Sequence, residues 1–136
     1  MILGTLRDQL TYPQGDQDIN DSELENSLRQ VNLADLAERF GGFNAEQDWG
    51  DVLSLGEQQR LAFARILINK PKYVILDEAT SALDIANEAE LYRHLNQGDT
   101  TFISVGHRPT LTQYHQQILN LVDKDNWTLQ AANENN

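Results

Sequence analysis

Two adjacent carboxylates, Asp77 and Glu78, close the apolar run Tyr73-Val74-Ile75-Leu76. A continuous apolar stretch of this length suits a strand buried on both faces, as in a parallel sheet. Its end then sets both acids at the C-terminal sheet edge, where open α/β folds bind ligands. In nucleotide hydrolysis the first acid would hold Mg²⁺ through water, because Mg²⁺ takes oxygen ligands and keeps several waters. The second would polarise the attacking water. Taken alone, the run fits an ordinary solvated strand end better than a nucleotide site. Upstream lies Leu53-Ser54-Leu55-Gly56-Glu57-Gln58-Gln59-Arg60, a loop feeding a helix; downstream come Thr80-Ser81-Ala82-Leu83-Asp84 and then His107. Unpaired backbone N–H groups and the helix dipole make such a helix start favourable for an anion. Asp84 also fits a plain N-cap for the helix after it. His94 and His115 have no clustered partners and read as surface residues, so a histidine metal site is not expected.

The elements that must position these residues can be traced along the chain. Thr11 to Asp21, with Pro13 and Gly15, reads as a loop ending at a helix cap. Asp21 or Ser22 caps a helix to about Asn32 with Leu24, Leu28 and Val31 on one face. Leu33 to Phe40 is a second short helix, stopped by Gly41-Gly42. A polar loop, Asn44 to Asp51, is interrupted by Trp49. Gly56 to Asn69 is helical, with a broad apolar face that includes Leu61, Ala64 and Ile68, and Lys70-Pro71 ends it. A helix over Ile85–Asn96 stops at Gly98, and Thr101-Phe102-Ile103-Ser104-Val105 is the next strand. A short helix (Leu111 to His115), a strand (Gln117 to Val122), a turn and a last strand (Trp127 to Leu129) follow. Strand, helix, strand is a βαβ unit, so the second half is α/β and the first half purely helical.

The length agrees with one ordinary domain or a piece of one. The chain has 136 residues, 40% of them hydrophobic, and no cysteine, which excludes disulfides and thiolate metal sites. A chain of this size buries roughly two thirds of its unfolded surface. Asp and Glu number 21 against 10 Lys and Arg, a formal charge of -11, which argues against nucleic acid or anionic lipid as the main partner. No apolar stretch approaches the roughly 18 residues of a membrane span. No secretory signal is visible at Met1-Ile2-Leu3-Gly4-Thr5, so a cytoplasmic location is the default expectation.

Taken together, these segments resemble the nucleotide-binding domain of ABC transporters. The run around Ser54-Leu55-Gly56-Glu57 resembles that family's signature motif, Val74 to Glu78 its Walker B segment, Ser81 to Asp84 its D-loop, and His107 its switch histidine, in the family's order and spacing. The resemblance covers essentially the whole chain and is nearest to half-transporters similar to the peroxisomal fatty-acyl and cobalamin groups and their bacterial relatives. In those, a Gly-Thr-Leu-Arg-Asp-Gln segment (here Gly4 to Gln9) followed by Tyr-Pro (Tyr12-Pro13) opens the helical subdomain, and a Trp like Trp49 shortly precedes the signature. The resemblance implies an ATPase that couples hydrolysis to transport, with ATP and Mg²⁺ as cofactors. It implies Asp77 on the Mg²⁺ through water, Glu78 as catalytic base and His107 on the γ-phosphate. Ser54, Gly56 and Glu57 would meet the γ-phosphate of ATP bound to a second ABC ATPase domain in a head-to-tail dimer, and Asp84 would touch that partner. Leu55 departs from the glycine the family favours, and Glu57 replaces its usual glutamine. A transmembrane permease is the other implied partner, with the chain at the cytoplasmic face of the membrane.

On this reading residues 1-136 form a partial ABC ATPase domain. A helical subdomain carrying the signature spans about 1-70, and the second half of the parallel-sheet core spans about 71-136. No G-x-x-x-x-G-K-[ST] phosphate loop occurs in the sequence, so Asp77 and Glu78 have no nucleotide to act on within it. The expectation is an α/β fragment lacking the Walker A strand and loop, with exposed strand edges, and inactive by itself. Met1 then reads as an internal methionine of a truncated or split product. The alternatives are a non-hydrolysing module that completes or blocks a partner's ATP site, and a remnant without independent activity. Neither the transported substrate nor the direction of transport can be read from these residues.

Overall fold

A computed structural model describes residues 3–13, 19–121 and 123–132. The expected loop between Thr11 and Asp21 lies partly outside them, as do Met1, Val122 and the tail from Asn133. Strand β1 (Gly4–Thr5) leads into α1 (Leu6–Thr11), and α2 (Asp21–Gln30), α3 (Leu36–Phe40), β2 (Glu46–Gln47), α4 (Trp49–Val52) and α5 (Leu55–Asn69) follow. Then come β3 (Tyr73–Asp77), α6 (Ile85–Gln97), β4 (Thr101–Val105), a 3₁₀ turn (Pro109–Tyr114), β5 (Gln117–Leu121) and β6 (Trp127–Ala131).

The first half is not purely helical. Gly4 pairs with Gln47 and Thr5 with Glu46 as a two-residue antiparallel bridge, too short to leave an alternating pattern in the sequence. The bridge is held from one side by Trp49, which is wholly buried, donates from Nε1 to the Gly4 carbonyl at 2.9 Å, and meets the Phe40 ring edge-on at 5.2 Å. Trp49 thus begins a short helix where a polar loop was expected. Thr5 caps α1 through a reciprocal box with Asp8, and Asn20, rather than Asp21 or Ser22, caps α2 by accepting from the Glu23 amide. Helices α1 and α2 pack on α5, so Leu6, Leu10, Leu24, Leu28, Leu61 and Ala64 share one buried core. Lys70, in the left-handed region at φ 47°, ends α5 just before Pro71.

The second half is the expected βαβ unit. Strands β3 and β4 are parallel, Tyr73 opposite Thr101 through Asp77 opposite Val105, with α6 as the crossover. The expectation that β3 is buried on both faces is met on one only. Leu76 is buried and Val74 packs against the core, while Tyr73 and Ile75 are 69% and 71% exposed. The reason is the layering: α6 supplies Leu91, Tyr92 and Leu95 to one side of the sheet, and no described residue covers the other. Strands β5 and β6 form a separate antiparallel hairpin.

Two histidines expected at the surface are partly buried. His115 Nε2 lies 2.7 Å from Ser104 Oγ, its ring edge meets Tyr92 and Phe102, and Tyr92 stacks on Tyr114 at 4.7 Å. His94 has a side chain 14% exposed and lies beside Glu90. Among the described residues no helix is long and apolar enough to cross a membrane.

Candidate functional site

The parallel pairing of β3 with β4 decides where the two chemically suggestive segments meet. Asp77 sits opposite Val105 at the end of the ladder. The next amide, that of Glu78, donates to the Val105 carbonyl at 2.9 Å and carries the pairing one residue further. The chains leaving β3 and β4 therefore emerge side by side at the C-terminal sheet edge, and Glu78 Oε1 lies 3.3 Å from His107 Nε2. Glu78 has φ 52°, a left-handed conformation that a non-glycine residue seldom adopts and that is concentrated at functional positions. Asp77, Glu78 and His107 all face solvent, His107 with 94% of its side chain exposed.

Beyond Glu78 the chain makes two tight turns, Ser81 N–H to the Glu78 carbonyl at 3.2 Å and Leu83 N–H to the Thr80 carbonyl at 3.0 Å. Asp84 then caps α6 by accepting from the Asn87 amide at 2.7 Å, the helix-capping role that its position allows.

The helix start at Ser54 reaches the same turns. Ser54 caps α5 in a capping box: its hydroxyl accepts from the Glu57 amide at 3.2 Å, and Glu57 Oε1 accepts from the Ser54 amide at 3.1 Å. The other Glu57 oxygen accepts from Arg39 Nη1 at 2.6 Å, and that hydrogen bond holds the Glu57 carboxyl below its ordinary range against the opposing effect of burial. A methyl group on Gly56 would stand 3.4 Å from the Ala82 carbonyl oxygen and 3.6 Å from Leu83 Cδ2, so α5 begins in contact with the turn after β3. Leu55 points outward, 59% exposed.

The structure therefore brings Glu78 and His107 together, and seats Gly56 against the Ala82–Leu83 turn. The residue that joins the two groups was missed in the sequence. Gln59 donates from Nε2 to the Glu78 carbonyl at 3.2 Å and to Ser81 Oγ at 2.9 Å, and accepts from the Ala82 amide at 2.9 Å. The available signal was its spacing, three residues after Gly56 and so on the same helix face. Glu88 and Arg108 were also missed. Glu88 is wholly buried yet charged, and it accepts from Thr80, Thr110 and Arg108.

The donor set fits a phosphate. The first amides of a 15-residue helix, those of Leu55 and Gly56, have no acceptor within their own helix, and the Ser54 hydroxyl can still donate. Asp77 and Glu78 offer exposed carboxylate oxygens, which suits Mg²⁺ that keeps water and phosphate as its remaining ligands. Among the described residues no three acids or histidines cluster into a cage that would hold a metal alone.

The family model described as ABC transporter matches residues 4–81. The chain is 57% identical over 133 residues to an uncharacterised ABC transporter ATP-binding protein of Synechocystis sp., covering 98% of this chain and 20% of that protein. It is 41% identical to rat ATP-binding cassette sub-family D member 3, covering 98% and 21% of the two chains, and 46% identical to the mouse lysosomal cobalamin transporter, covering 93% and 22%. A solved structure of a bacterial Atm1-family ABC exporter with ATP bound matches with a TM-score of 0.69 and 30% identity over 85% of this chain and 21% of that one. The chain spans about a fifth of the length of these relatives.

Proposed function

The chain belongs to the ABC transporter family, and from that premise we propose that it carries the hydrolytic half of an ATP site whose phosphate loop comes from another segment. One observation carries the proposal: Glu78 and His107, from the ends of two paired parallel strands, stand 3.3 Å apart at the sheet edge where such folds bind ligands. Glu78 is the general base, its carboxylate accepting the proton of the attacking water at the end of β3. His107 would meet the γ-phosphate from the neighbouring end of β4. Asp77 would hold Mg²⁺ through water, and that ion would supply charge neutralisation at the phosphates. Ser54, Gly56 and the Glu57 turn present a hydroxyl and helix amides to the γ-phosphate of a second ATPase domain, and Asp84 lies at that same head-to-tail contact. A transmembrane permease partner and placement at the cytoplasmic face of a membrane complete this reading.

The test is Mg²⁺-dependent ATP turnover by the chain joined to a segment bearing G-x-x-x-x-G-K-[ST], beside its Glu78→Gln variant. Turnover that is lost in the variant supports the proposal. Turnover retained in Glu78→Gln removes Glu78 as the base. Binding to a partner ATPase without turnover by either chain would favour an interaction module instead.

A further inference from the structure

Glu88 lies on α6, away from the exposed carboxylates of the sheet edge, and none of its surface reaches solvent. A charged carboxylate in such a place is costly unless it is fully hydrogen-bonded, and an apolar side chain of similar size is often no worse for stability. Its partners show what it does. Oε2 accepts from Thr80 Oγ1 at 2.7 Å and from Arg108 Nη1 at 3.1 Å, and Oε1 accepts from Thr110 Oγ1 at 2.7 Å. All three donors come from the two segments that leave the strand ends: Thr80 follows Glu78, while Arg108 and Thr110 follow His107. Arg108 then reaches across with Nη2 to the Ser81 carbonyl at 3.1 Å, and the Ser81 amide in turn donates to the Glu78 carbonyl at 3.2 Å. A continuous path of hydrogen bonds therefore runs from the residue beside His107 to Glu78.

We infer that Glu88 and Arg108 are positioning residues, a buried clamp that fixes the Glu78 loop against the His107 loop so that base and histidine are presented together. The inference rests on the hydrolytic reading above, but the clamp itself can be measured without nucleotide. Arg108 ties the buried carboxylate to the Glu78 loop through one planar group: one nitrogen is on Glu88 of α6 and another on the Ser81 carbonyl. A lysine, with its single ammonium, cannot span both acceptors in that geometry.

The test is hydrogen exchange in the full chain for Glu88→Gln, Arg108→Met and Arg108→Lys, followed by kcat and KM for ATP in the same variants joined to a phosphate-loop segment. Glu88→Gln keeps the shape but removes the charge and turns one of the two accepting oxygens into a donor, which one threonine hydroxyl can meet by accepting, so it guards against simple failure to fold. Exchange at the bonded amides of Ser81, Ala82 and Leu83 should quicken about tenfold in Arg108→Met and Glu88→Gln, with the amides of α2 unchanged. In the joined protein kcat should fall about tenfold with KM within about twofold, and Arg108→Lys should recover part of each loss. Unaltered loop exchange, or exchange that quickens equally in α2, overturns the clamp. So does a normal kcat in all three variants. If the joined wild-type chain shows no turnover, the hydrolytic reading fails, and the exchange data alone decide whether the two loops are clamped.

Discussion

Gln59 and Ser81 meet side chain to side chain at 2.9 Å, and this contact fastens the first turns of α5 to the loop that follows the catalytic-base candidate Glu78. The same Gln59 amide group also serves the Glu78 carbonyl and the Ala82 amide, so one side chain uses both its donor and acceptor ends on a single turn. Replacing Gln59 by Ala removes all three bonds at a solvent-accessible site and should cost about 1–2 kcal/mol. Gln59→Glu should cost at least as much, because a carboxylate cannot donate to the Glu78 carbonyl. Urea unfolding of the three proteins checks this; equal midpoints would show that the contact adds nothing to stability.

Trp49 makes a separate claim on stability. It is fully buried, with its indole N–H on the Gly4 carbonyl and its ring against Phe40. Trp49→Phe deletes the donor and leaves a void beside the bridge of β1 and β2, at an expected cost of about 1–3 kcal/mol. Trp49→Ala should cost about 3–5 kcal/mol, the usual range for emptying a buried aromatic site. The check is the unfolding midpoint together with loss of exchange protection at the Leu6 and Arg7 amides, which bond to Ala45 and Phe43.

Acid should loosen the two loops through Glu88. Burial pushes its carboxyl upward, but the hydrogen bonds from Thr80, Thr110 and Arg108 outweigh burial and hold it below the ordinary value near 4.5. Arg108 is the charged group facing it, and the phenols of Tyr92 and Tyr114 are its other titratable neighbours. A folded-state value below the unfolded one gives stability that is present above the unfolded value and lost as pH falls through the folded one. Wild type should therefore lose stability below about pH 4.5 more steeply than Glu88→Gln. Urea midpoints measured from pH 3 to pH 7 test the sign; parallel curves would show that Glu88 does not contribute.

Much of this arrangement was legible in the sequence because its signals are local. The run from Tyr73 to Glu78, the serine that caps α5 and the aspartate that caps α6 are each defined by neighbours within a few residues. Pairings that depend on distant partners were not legible. The bridge of Gly4 to Gln47 has no periodicity, and the burial of Glu88 depends on donors from two loops that sequence alone does not bring together. His94 and His115 read as surface residues because a lone histidine carries no pattern, yet ring contacts with Tyr92 and Phe102 hold His115 in the core margin. The exposure of Ile75 was hidden for the opposite reason. Its apolar neighbours signal burial, while the layering leaves one sheet face open.

That open face gives the last prediction. Ile75 pairs with Ile103 across β3 and β4, 71% and 61% exposed, with Tyr73 and Val105 on the same side. Leu76, one residue along, points the other way and is buried. Because successive strand residues alternate faces, neighbouring substitutions should have opposite consequences. Leu76→Ala empties a packed position and should cost about 2–4 kcal/mol. Ile103→Lys replaces an exposed apolar group and should change stability by less than about 0.5 kcal/mol. The lysine should also weaken self-association of the chain, since contiguous exposed apolar surface on a sheet favours it. Sedimentation at several concentrations, read beside urea unfolding, separates the two effects. A large loss of stability in Ile103→Lys would mean that this face is covered in the folded chain, and undiminished association would mean that the contact forms elsewhere, with the β5–β6 hairpin (Leu119, Leu121, Trp127 and Leu129 exposed) the next surface to test.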